Sequence, residues 1–192
     1  LKTGLVLKPQ QAKNWVLLGE KKVSLQWQRH ALFNMSKLIV TLFGVGYLNP
    51  APGTWGSLIS LPLFWLIYEI FGLIGSILIV VVLFLSGWKA IKIYSNQTQT
   101  HDSSEIVIDE VVGQFIALLP IAFDSYFTQT QILHLWPFWI SAFLIFRIID
   151  ILKPGVIGRI DKVQSAFCVM LDDVLAGFFA AFIVCLLIGI IH

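Results

Sequence analysis

The chain has 192 residues, of which 57% are hydrophobic and 12% are Asp, Glu, Lys or Arg. Soluble domains carry roughly 25% charged residues, so this composition excludes a disordered chain, a coiled coil and a nucleic-acid-binding surface. The apolar residues come in runs that a globule of this length could not hide. They predict an all-α polytopic membrane bundle, because lipid demands that backbone polar groups be satisfied internally.

Residues 1–37 are polar and basic, with seven Lys or Arg against one acid, Glu20. They read as a cytoplasmic N-terminal segment, and 38–192 as the membrane-embedded domain. The first 30 residues lack an apolar stretch followed by a small-residue cleavage site, so no secretory signal peptide is expected. Residues 38–48 are apolar but too short to span, and Asn49 to Ser57 is expected to break any helix. The stretch 38–56 is therefore expected to be re-entrant or interfacial. Five spans follow, at 57–71, 73–94, 106–123, 133–149 and 168–191. Gly72 to Gly75 look like the turn between the first two. Polar loops fill 95–105, 124–132 and 150–165, and Lys153-Pro154-Gly155 is a stop signal. Cys168 and Cys185 lie in or beside apolar runs and are expected as free thiols.

The basic residues test the topology. Seven lie in 1–37, Lys89 and Lys92 flank the 95–105 loop, and Arg147, Lys153, Arg159 and Lys162 flank or occupy the 150–165 loop. With five spans, all 13 fall on one side, as the positive-inside rule requires. A sixth crossing through 38–56 would break that pattern.

Eight of the eleven acids lie in or next to the same two loops. Carboxylates at a membrane boundary are costly and usually face a polar cavity or a partner. Any one of them could be a solvated helix end favoured by the macrodipole. Three acidic clusters converging on one face point instead to a hard-cation site. Mg²⁺ takes oxygen ligands and is held by a few carboxylates together with substrate phosphate. Asp109/Glu110 and Asp172/Asp173 open different helices, and adjacent helical residues diverge by about 100°, so one of each pair is expected to point inward. Arg147 and Asp150 share a helix face at i, i+3, with Lys153 a further turn on. Arg suits bidentate phosphate contact and Lys supplies a point charge. Pro52-Gly53-Thr54-Trp55-Gly56-Ser57 precedes a helix, where Thr54 and Ser57 could cap and free N–H groups could hold an anion. His101 sits in a polar loop as a solvated residue, a base or a phosphate contact. An ion or metabolite carrier would need acids in mid-span and repeated halves, and neither is visible.

Four blocks carry a resemblance. They are Pro52 to Ser57, His101 to Gly113, Phe146 to Pro154 with Ile157 and Asp161, and Met170 to Gly177. In this order they resemble the phosphatidylglycerophosphatase A family, over about residues 40–185. The resemblance implies a Mg²⁺-dependent phosphatase of the bacterial cytoplasmic (inner) membrane, multi-pass, with its active site on the cytoplasmic side. It implies that phosphatidylglycerophosphate is hydrolysed to phosphatidylglycerol during phospholipid synthesis. It also implies that Asp109, Glu110, Asp172 and Asp173 are metal or catalytic residues, supported by Asp102, Arg147, Asp150 and Lys153. A related enzyme with another lipid substrate is the alternative. The nucleophile is either a water or an Asp carboxylate. The family's glycine-rich stretch before the paired aspartates is Ser165 to Cys168 here, and the proline expected after Lys153-Pro154 is Val156.

Overall fold

The computed structural model describes residues 27–100 and 103–191. Among these residues every regular element is helical. Helix α1 covers 27–40, and a 3-10 turn follows at Val45–Tyr47. Helix α2 is Pro52–Thr98, α3 Ile108–Thr128, α4 Trp136–Leu152, α5 Val156–Asp161 and α6 Ala166–Ile191. Four of the helices are long and apolar enough to cross a membrane, and the chain is a membrane protein.

A straight helix of 47 residues would reach roughly 70 Å, more than twice the hydrocarbon core. Helix α2 is not straight. Gly72 breaks it at φ 63°, ψ −165°, a conformation that a residue without Cβ adopts cheaply. Gly56 and Gly87 both abut the start of α3, at Val107 and Ile108 respectively. At the other end Tyr68 Oη donates to Ser125 Oγ at 3.1 Å. The halves 52–71 and 73–98 therefore run antiparallel, and each corresponds to one of the expected spans.

Other boundaries moved. Helix α2 continues to Thr98 and α3 to Thr128, past the expected ends at 94 and 123. Hydropathy marks where lipid ends, whereas a helix stops only where its backbone bonds stop. Thr98 and Thr128 hydroxyls donate back to the Tyr94 and Asp124 carbonyls at 3.0 and 2.7 Å, so polar side chains in the last turn are accommodated within the helix. Within the expected 150–165 loop, α5 forms after Gly155.

Helix α3 is the most buried of the long helices, with Phe115, Leu118 and Ile121 wholly inside. The outward faces of α2 and α6 carry Ile70, Ile74, Leu78, Phe178, Phe182 and Ile190, all exposed, as lipid contact requires. Helices α3 and α6 meet at backbone distance. A Cβ on Gly113 would lie 2.6 Å from the Asp173 carbonyl oxygen, and one on Gly177 would fall on the Gly113 carbonyl. Small residues permit such a crossing in lipid. Gly113 and Gly177 each follow a carboxylate by one turn, Asp109 and Asp173, so the crossing fixes how closely those two acids approach.

Helix α1 packs across the same end of the bundle without crossing it. Phe33 stacks on Tyr94 with centroids 5.6 Å apart, and Val107 N–H donates to the Val40 carbonyl at 2.8 Å. Trp27, Leu32, Met35 and Leu38 face outward. The helix therefore begins inside the stretch read as a polar basic segment and reaches only residue 40 of the 38–56 stretch expected to be re-entrant or interfacial.

Candidate active site

The start of α2, the loop before α3, the end of α4, the end of α5 and the start of α6 enclose a cavity of about 360 Å³. Among the described residues its lining holds Asp109, Glu110, Asp150, Asp161, Asp172 and Asp173 against two cations, Arg147 and Lys153.

Three carboxylates form one group. Asp109 and Glu110 open α3, and Asp173 stands in the second turn of α6. One oxygen from each lies within 4.8 Å of the others, a spacing that could hold one metal ion. Asp109 is held in place by the Glu110 N–H, which donates to its Oδ1 at 3.1 Å. Glu110 Oε2 is buried with no hydrogen-bond partner among the described residues. Acids in the first turn of α3 also complement its macrodipole.

A second group is centred on Lys153, which ends α4 in the left-handed conformation with its N–H on the Ile149 carbonyl. Its Nζ donates to Asp172 Oδ2 at 2.8 Å and to Asp161 Oδ1. Burial works against the ammonium charge, but the hydrogen bonds to Asp161 and Asp172 outweigh it and hold the Lys153 pKa above its ordinary value. Lys153 therefore stays charged. Asp172 Oδ1 has no hydrogen-bond partner among the described residues.

Arg147 lies between the groups. Its Nη1 donates to Asp150 Oδ2 at 2.5 Å, the i, i+3 pairing expected from the sequence. The same nitrogen is 3.5 Å from Ser57 Oγ, at the limit of a hydrogen bond. Its Nε is buried and unpartnered among the described residues. Ser57 itself is wholly buried and donates to the Gly53 carbonyl at 3.0 Å.

Asp109, Glu110, Arg147, Asp150, Lys153, Asp172 and Asp173 thus come together. Thr54 is not among the lining residues, whereas Ala51, Pro52 and Gly53 are. His101 and Asp102 lie outside the described residues. Asp161, Gly53, Ser103 and Ser104 also line the cavity and were not expected as site residues. All four sit in blocks that carried the family resemblance, which was the available signal. Ser165, where the family's glycine-rich stretch was expected, caps α6 by accepting the Cys168 N–H at 3.1 Å.

Residues 38–188 match the family described as Phosphatidylglycerophosphatase A. A Haemophilus influenzae protein named Phosphatidylglycerophosphatase A is 36% identical over 80% of this chain and 89% of its own length. An Escherichia coli K12 protein of the same name is 29% identical over 80% of this chain and 83% of its own. A Bacteroides thetaiotaomicron protein with the provisional name phosphatidylinositol-3-phosphatase is 33% identical over 74% and 87%. No solved structure matches the chain significantly. With most of its length aligned, the chain belongs to the phosphatidylglycerophosphatase A family.

Proposed function

We propose that the chain is a magnesium-dependent phosphatase that converts phosphatidylglycerophosphate and water to phosphatidylglycerol and inorganic phosphate in phospholipid synthesis. The observation that carries this reading is the convergence of Asp109, Glu110 and Asp173 beside Arg147 and Lys153 in one cavity.

The donor set fits Mg²⁺. All the donors are oxygens, and the unpartnered Glu110 Oε2 is an acceptor of the kind a hard cation takes. Charge supports the same conclusion. Among the described residues, six carboxylates against two bases would repel a phosphomonoester of charge near −2 unless a cation offset them. Asp109, Glu110 and Asp173 would hold the ion, which when bound neutralises phosphoryl charge and polarises the scissile bond. Arg147 lines the cavity and offers its guanidinium to a phosphoryl oxygen, while Asp150 holds its Nη1. Lys153, tethered between Asp161 and Asp172, adds a fixed positive charge. Such positioning and electrostatics make up most of phosphoryl-transfer catalysis.

The membrane is the bacterial cytoplasmic membrane and the cavity faces the cytoplasm. Bacterial relatives and the basic residues around the cavity end of the bundle support this placement. A second reading, a shifted lipid substrate, draws on the phosphatidylinositol-3-phosphatase name of one relative.

Phosphate release by the purified chain in detergent tests both. Phosphatidylglycerophosphate, phosphatidylinositol 3-phosphate and phosphatidic acid are compared with and without Mg²⁺. The expected result is Mg²⁺-dependent release from the first lipid above the others. Release from none of them overturns the phosphatase reading, and preference for the second moves the substrate assignment.

A further inference from the structure

We propose that Gly53 is a positioning residue for Glu110, and through it for the bound cation, because its missing side chain is the space the Glu110 carboxylate fills. The inference rests on the reading of Asp109, Glu110 and Asp173 as cation ligands. Gly53 lies in the first turn of α2 and lines the cavity. A Cβ there would overlap Glu110 Oε1, lie 3.0 Å from its Cδ, and sit 3.4 Å from Arg147 Nη1.

The backbone does not require glycine at this position. Gly53 is not among the positive-φ residues, and its carbonyl takes the Ser57 hydroxyl within the helix. Alanine is the better helix former. The severe clash is with the tip of a flexible side chain, which can move without disturbing the fold. The neighbouring cases differ. At Gly46, Gly113 and Gly177 the close atoms include backbone, so added side chains there push helices or loops apart. Space at Gly53 serves one carboxylate, and that carboxylate is one of the three that cluster.

Mn²⁺ titration followed by electron paramagnetic resonance, on the full chain in detergent, tests this. Gly53→Ala is expected to keep the wild-type circular dichroism and to bind Mn²⁺ 10- to 100-fold more weakly, the usual scale for disturbing a ligand's support. Its turnover should recover at high Mg²⁺, with the lipid KM at saturating Mg²⁺ within twofold of wild type. Glu110→Asp, shorter by one methylene, should lower affinity alone yet raise it in the Gly53→Ala background. Wild-type Mn²⁺ affinity in Gly53→Ala overturns the positioning role while leaving the phosphatase reading intact. No Mn²⁺ binding by the wild type overturns the cation site itself, and the positioning role with it. If Gly53→Ala lowers folded yield, Glu110→Asp must restore both yield and binding, and failure to do so overturns the proposal.

Discussion

Asp172 and Asp173 are consecutive, identical in chemistry and each only 4% exposed, yet they join different groups in the lining of one cavity. One residue step turns a helix by about 100°. That step sends Asp173 toward Asp109 and Glu110 on α3, and Asp172 toward Lys153 at the end of α4. Asp173 thereby joins the acidic cluster of Asp109 and Glu110. Asp172 joins an ion-paired group in which Lys153 has two carboxylate partners. The role of an acid in this bundle is set by the helix it faces, not by its place in a motif.

Substitutions should separate the two groups. Asp173→Asn is expected to lower phosphate release on the order of 10³-fold, the scale of losing a direct electrostatic contact with the reacting group. Release of inorganic phosphate at fixed lipid and Mg²⁺ measures it. Lys153→Ala removes the cation of the second group and should cost roughly 10- to 100-fold, the worth of one charge-assisted hydrogen bond. Its loss should persist at any Mg²⁺ concentration, which a Mg²⁺ titration of turnover checks. Asp172→Asn leaves Lys153 with Asp161 as its remaining carboxylate partner. The expected loss is about tenfold, again insensitive to added Mg²⁺. Thr54→Ala lies outside the cavity lining and should change kcat/KM by less than about twofold.

The large features of this comparison were legible in the sequence. The apolar runs, the Gly72 turn, the Lys153-Pro154 stop and the Arg147–Asp150 face all followed from length, spacing and backbone chemistry. The division of labour between Asp172 and Asp173 did not. Beyond these two acids α6 is apolar around its whole circumference, so periodicity gives no phase relative to α3 and α4. The Lys153–Asp161 pairing was hidden because it depends on α5 folding within an expected loop. Gly53 read as part of a helix breaker. Its significance is a contact with Glu110 on another helix, which no local pattern encodes. Ser165 departed from the family's glycine-rich stretch, and its capping role was readable only once the start of α6 was known.

Cation binding by the two neighbouring variants tests the central claim most directly. Mn²⁺ titration of Asp173→Asn and Asp172→Asn, each as folded full-length protein in detergent, should show affinity lost in the first and kept within about threefold in the second, since the ion-paired Asp172 is not one of the clustered ligands. Equal loss in both, or loss only in Asp172→Asn, would contradict the assignment of the two acids to different groups.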